Sequence, residues 1–195
     1  LYAIFEKKAM KKFITFTIIA TAAFVFTAFT NSNLSIENDS IKTEAINKDK
    51  TIVEIASGNE NFTTLVAAVK AAELVETLNG KGPFTVFAPV NDAFAKLPDG
   101  TVASLLKPEN KETLTTILTY HVVSGKFMAK DVVKAINNNK GTFKIPTVQG
   151  GFITASLSGE NVILTDAKGN KSTIIMTDVG ASNGVIHAID TVVMP

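Results

Sequence analysis

Hydrophobic positions along this chain change period several times, and each change marks an element. The stretch "MKKFITFTIIATAAFVFTAFTNSN" from Met10 is continuously apolar between Phe13 and Phe29, with no amphipathic period. Residues 31–48 are polar and aperiodic. Helical spacing then appears. Ile52, Ile55 and Ala56 share a face, and "NFTTLVAAVKAAELVETL" places Phe62, Leu65, Val66 and Val69, then Leu74, Val75 and Leu78, at intervals of three and four. "NGKGP" breaks that helical region, and "FTVFAP" (Phe84–Pro89) alternates as a buried strand stopped by proline. "NDAFAKL" predicts a short helical turn. "KPENKETLTTILTYHVV" predicts a helix opened by Pro108, with Leu114, Ile117 and Leu118 inward, turning strand-like over Tyr120–Val123.

After the short helix "MAKDVVKAI" the period drops to two. "GTFKIPTV", "GFITASLS", "NVILTD" and "STIIMTDV" are rich in β-branched and aromatic residues and are separated by Gly or Asn turns, with "DAKGNK" as a hairpin loop. The chain closes on "SNGVIHAIDTVVMP". Asn183-Gly184 predicts the turn and Val185–Val193 a strand, with Val185, His187, Ile189 and Val193 on one face and Ile186, Ala188 and Val192 on the other. Both faces are mainly apolar, so this strand belongs in the middle of a sheet covered on both sides. Helices first, strands later and one early strand left to pair with them make an α+β domain.

Composition narrows the options. The 195 residues suit one domain and a modest extra segment. From Asp49 onward 13 lysines meet 14 acidic residues, so the folded part is near neutral. Arginine is absent and no basic stripe interleaves with aromatics, which argues against nucleic acid as a partner. Cysteine is absent too, which removes disulfides, thiolate metal sites and cysteine nucleophiles. Lys11 and Lys12 before the apolar run, with Asn31, Ser32 and Asn33 after it, have the layout of a secretory signal peptide. Leu1–Ala9 read as an overextended start. The expected organisation is that start and a signal peptide over 1–30, a linker over 31–48 and a domain over 49–195. It places the protein outside the cell, in the periplasm or on the cell surface, and attaches it to membrane only if the apolar segment stays uncleaved.

Few reactive constellations remain. "GKGP" lacks the ending of a P-loop, and neither G-x-S-x-G nor H-E-x-x-H occurs. A zinc site would require His121, His187 and a carboxylate such as Asp178 or Asp190 to converge. Histidines among apolar neighbours are more often neutral core groups with hydrogen-bond partners, because burying one unpaired costs on the order of a few kcal/mol. Tyr120 is a possible partner for His187.

Three blocks in order, "FTVFAPVNDAF" (Phe84–Phe94), "LTYHVVSGKF" (Leu118–Phe127) and "NGVIHAIDTVVMP" (Asn183–Pro195), resemble the first conserved block, the Tyr-His motif and the second conserved block of the fasciclin (FAS1) domain. Phe87, Pro89, Asn91, Phe94, Asn183, Gly184 and His187 are the positions that carry the motif. The resemblance implies a β-wedge of about seven strands with several short helices. It also implies an extracellular module that binds rather than catalyses, needs no cofactor or metal and acts in adhesion or matrix contact. Its partner would be a protein or polysaccharide, and the molecule itself a monomer. Some animal members present an Asp-Ile pair to integrins. Asp178-Val179 stands at the matching position, but the simple export features look bacterial, so the location transfers and the ligand does not. Asp178, Val179, Tyr120 and His121 are thus the candidate partner-binding residues, with a turn or cap as the plainer role for Asp178. Val90 replaces the threonine usual after Ala-Pro, and Asn91 is a possible substitute cap for the short helix. Two other functions are weighed: a carrier of an apolar small molecule, suggested by 13 phenylalanines, and a metal-dependent hydrolase.

Overall fold

A computed structural model describes residues 49–195; the apolar segment and the linker lie outside the described residues. Helix α1 (Ile52–Ser57) is opened by a capping box, in which Thr51 Oγ1 accepts from Glu54 N at 3.3 Å and Glu54 accepts from Thr51 N at 2.7 Å. A 3₁₀ turn (Glu60–Phe62) leads into α2 (Thr63–Ala71). The predicted helical region does not run on unbroken to Leu78. Glu73 takes a left-handed φ of 56°, and a separate short helix α3 (Val75–Leu78) follows. Strand β1 (Phe84–Pro89), α4 (Asn91–Ala95) and α5 (Thr101–Leu105) come next, α5 having had no counterpart in the periodicity. The helix begun at Pro108 forms as a 3₁₀ turn and then α6 (Lys111–Tyr120), one residue longer than expected: Tyr120 ends the helix, and the strand, β2, is Val122–Ser124.

Helix α7 (Ala129–Asn138) precedes β3 (Thr142–Pro146), β4 (Phe152–Ser158), β5 (Asn161–Thr165), β6 (Lys171–Ala181) and β7 (Gly184–Ile189). These make one seven-stranded sheet in the order β2-β1-β7-β6-β5-β4-β3. The early strand pairs with the last: β1 and β7 run parallel, from Phe84 opposite Gly184 to Pro89 opposite Ile189, and the other pairs are antiparallel. Val148 N donates to Val122 O at 2.8 Å, so the chain leaving β3 returns to β2 and the sheet nearly closes.

Alternation in the two central strands feeds two cores. Val86, Ala88, Ile186 and Ala188 face α1, α2, α3 and α6. Phe87 and Ile189 face the other way, toward Ile145, Ile153, Leu164 and Ile174 of the meander and Val132 and Ile136 of α7. Every residue of β7 is buried, as its two apolar faces require. The strand is shorter than predicted. It ends at Ile189 because Asp190 turns aside to accept from Thr173 N at 2.7 Å. Val193 nevertheless joins the core of Ile189, while Val192 joins a small cluster with Ala93 and Ile117.

Candidate functional site

Strand β6 departs most from regular geometry. Against β7 it carries two register shifts, between Ile174 and Met176 and between Met176 and Val179, each inserting an extra residue. Opposite the second bulge lies His187. Its Nδ1 accepts from Asp178 N at 3.2 Å, so its proton sits on Nε2 and is donated to Phe127 O at 2.8 Å. The ring also stacks on Phe87, with centroids 5.9 Å apart. The imidazole thus substitutes for backbone where the bulge interrupts the ladder. Burial lowers its pKa, outweighing the Phe127 carbonyl and the Asp178 charge, which act to raise it.

His121 is wired the opposite way round. Nδ1 donates to Ile117 O at 2.8 Å and Nε2 accepts from Val193 N at 3.3 Å. Desolvation pulls its pKa down to about 4, against a smaller raising effect of the Ile117 bond. Tyr120 is not the partner of His187. Its hydroxyl donates to Phe152 O at 2.7 Å and accepts from Ala167 N at 3.1 Å, tying the end of α6 to β4 and to the β5–β6 loop. Desolvation raises its pKa. Tyr120 and His121, expected to meet a partner, are both interior: 1% and 2% exposed, with their polar atoms bonded inside the domain. They share one end of a helix rather than opposite sides of a strand, so neither offers a contact surface.

Asp178 and Val179 take different roles. Asp178 has a left-handed φ of 59°, and its Oδ1 accepts from Ala129 N at 2.8 Å, capping the first turn of α7 from outside that helix. Val179 is half-buried against the helical core. The side chains that the bulges turn outward lie just upstream: Ile175 and Met176 are 55% and 44% exposed. They border a surface groove of about 260 Å³, whose other walls are Asn61, Phe62, Val90, Asn91 and Asp92. The signal for this was present in "TIIMT". Three consecutive apolar residues cannot all face inward on a strand of period two, so one must be turned out or a bulge must intervene.

Of the remaining motif residues Asn91 lines this groove, and the others hold the framework together. Asn91 does not cap its own helix. Val90 occupies that cap position without a side-chain bond, while Asn91 Oδ1 accepts from Thr64 N at 3.0 Å and its Nδ2 donates to Glu60 O at 2.8 Å, fixing the start of α2. Phe87 and Pro89 are buried in β1, and Phe94 is half-buried against two clusters. Asn183 Oδ1 accepts from Ile52 N at 3.0 Å, and Nδ2 donates to Leu78 O at 2.7 Å and Gly80 O at 3.2 Å. Gly184 lies so close to Phe84 that a Cβ would strike its carbonyl oxygen.

Among the described residues no three His, Asp or Glu side chains gather to hold a metal ion. Asp190, proposed with the histidines as a ligand, instead anchors the chain after β7. Desolvation pushes its pKa up, but hydrogen bonds from Thr173 N, Lys96 and Thr191 outweigh this and hold it below the ordinary value. An apolar pocket under α1 and α2 measures about 30 Å³, room for a water and not for a lipid or pigment. No helix among the described residues is long and apolar enough to cross a membrane.

A model of the fasciclin domain matches residues 60–195. Over 149 residues the chain is 56% identical to protein sll1483 of Synechocystis sp., covering 74% of this chain and 73% of that protein. It is 33% identical over 149 residues to the cell surface glycolipoprotein MPB83 of Mycobacterium bovis, covering 74% of this chain and 60% of that one. A FAS1 domain pair from the insect cell adhesion molecule fasciclin I superposes with a TM-score of 0.67 at 20% identity, over 75% of this chain and 51% of that one. At that identity the likeness concerns the fold.

Proposed function

This chain belongs to the fasciclin domain family, whose members are in general binding domains without catalytic activity, and from that premise we propose that it is an exported binding module of the cell surface or its surrounding matrix, acting in adhesion. The observation that carries the proposal is the β6 bulge. Two register shifts hold Ile175 and Met176 out in solvent beside a groove, while the groups that chemistry would use, His121, His187 and Tyr120, are spent on backbone bonds. Exposed apolar side chains on a rigid strand suit contact with a partner better than they suit solvent. Asp178 sets the conformation of the bulge and Val179 roots it in the core, and contact falls to the residues just before them. MPB83 is a cell surface glycolipoprotein and the insect molecule a cell adhesion molecule, which agrees with this role.

The test is retention. The chain, immobilised, is challenged with envelope and extracellular polymers of the producing cell, beside a variant carrying Ile175→Asp and Met176→Asp. We expect the wild type to enrich a component that the variant releases, with the two melting alike. Enrichment of nothing over a surface-scrambled control would remove the adhesion role.

A further inference from the structure

The outward face of the meander β3–β6 is uncovered, because α7 and the core occupy the other side. Register places its outward residues in straight rows across the strands. One row runs Lys144, Thr154, Thr165, Lys171, and the next runs Thr142, Ser156, Ile163, Thr173. Beside the first row stands Phe152, opposite Pro146, its ring 56% exposed. None of the threonine and serine hydroxyls in these rows makes a hydrogen bond within the described residues. They present a grid at strand spacing, roughly 4.8 Å from one to the next, with the two lysines about 14 Å apart at its sides.

Charge within the two rows has one sign. Lys144 and Lys171 lie in the row, and the exposed Lys140 and Lys168 stand at the turns into β3 and before β6. The exposed acid of the same segment is Glu160, in the β4–β5 turn at the same end of the meander as Lys140, beyond the two rows. Asp166 is buried, and its oxygens accept from Lys168 N, Asn170 N, Asn170 Nδ2 and Met194 N, at 2.8–3.0 Å. Phe152 is mounted firmly, since its carbonyl is the one that accepts from Tyr120.

We propose that this face binds an acidic polysaccharide. It rests on the binding-module role given above and adds a partner class and a second surface. An extended glycan can follow the rows across the strands, and hydroxyl side chains exchange water for sugar hydroxyls without desolvating a charge. An exposed phenylalanine gives the C–H face of a pyranose ring an apolar platform, and lysines on either side meet repeated carboxylate or sulfate groups. Other polyanions fit less well. Single-stranded nucleic acid asks for several stacking aromatics, and the face has one ring and no guanidinium. A membrane surface asks for a continuous apolar stripe, and within the rows Ile163 stands alone among hydroxyls and lysines.

The full chain is immobilised and titrated with oligosaccharides of alginate (carboxylate), of heparin (sulfate) and of dextran (neutral). One or both acidic glycans should bind and weaken as salt rises, with dextran not retained. Lys144→Gln with Lys171→Gln should lower that affinity at least tenfold, and Phe152→Ser several-fold, with circular dichroism and melting unchanged. A control pair, Lys130→Gln with Lys134→Gln on α7, removes equal charge from the other side of the sheet and should change it less than twofold. Equal loss in the control, undiminished binding in the Lys144/Lys171 variant, or equal retention of dextran would overturn the proposal. If the wild type holds envelope material through Ile175 and Met176 but neither acidic glycan, the glycan inference fails and the binding module stands.

Discussion

Each histidine uses one ring nitrogen as donor and the other as acceptor, which commits both to the neutral form. A proton on His121 would set an N–H against the Val193 amide, inside a core that cannot solvate the charge. In the unfolded chain an imidazole takes up its proton near its ordinary value of 6.5, whereas the folded His121 does so at about 4. Between those values the unfolded chain holds more protons, so stability is fully present above pH 6.5 and is lost as pH falls toward 4, by on the order of 3 kcal/mol. The shift at His187 has the same direction and adds to the loss. Denaturant midpoints measured from pH 8 to 4 should fall along this course, and with two histidines in the chain the ring proton resonances identify them directly. A His121 resonance titrating at 6.5 in the folded protein would refute the assignment. Tyr120→Phe leaves a buried carbonyl and the Ala167 amide without their partner, and should cost about 1–3 kcal/mol by chemical denaturation. That His187 would be an interior, bonded group was legible from the apolar period on either side of it. Its partners were not, since Asp178 meets it through a bulge and Phe127 from the β2–α7 loop, and sequence spacing places neither.

Among the elements, β6 and α7 hold each other. Asp178 reaches the exposed end of α7 only because the bulge puts its backbone at positive φ, so one residue serves both as hinge of the strand and as cap of the helix. The two roles separate by substitution. Asp178→Asn keeps a carbonyl acceptor and tolerates the left-handed region, and should shift stability by less than about 0.5 kcal/mol. Asp178→Ala orphans the Ala129 amide and strains the backbone, costing about 1–2 kcal/mol. Asp178→Ile adds a β-branched side chain at positive φ and should be the worst of the three. Ranking the three melting temperatures checks this, and an isoleucine variant as stable as asparagine would show that the bulge relaxes freely. The helices and strands were mostly legible because burial on one face imposes a period. Where it fails is instructive. Glu73 splits a helical region without any glycine or proline to announce it, and α6 extends through Tyr120 because its last residues find cap and core partners distant in sequence.

At the scale of the molecule, the parallel pairing of β1 with β7 joins the helical first half to the end of the meander, and Asn183 sits at that joint. Its side chain binds the start of α1 and the end of α3, and its carbonyl accepts from Phe84 N at 3.0 Å at the start of β1. Gly184 follows because the two strands approach too closely for any side chain there. The resemblance in the three motif blocks carried the fold; the turn expected at Asn183-Gly184 lies one residue earlier, at Ser182-Asn183, and Gly184 opens β7. The resemblance did not show that the asparagine joins three elements, because each of those contacts lies about a hundred residues away or more. Asn183→Ala removes three side-chain bonds at once, leaving the Ile52 amide and the Leu78 and Gly80 carbonyls to find water. At about 1 kcal/mol for each bond, the loss should be roughly 2–4 kcal/mol. Since the residue joins both halves, the variant should keep a single cooperative urea transition with the same slope and a lower midpoint. A variant that instead unfolded in two steps would mean that the helical half and the meander come apart as separate units without this joint, and that β1–β7 pairing alone does not make the domain cooperative.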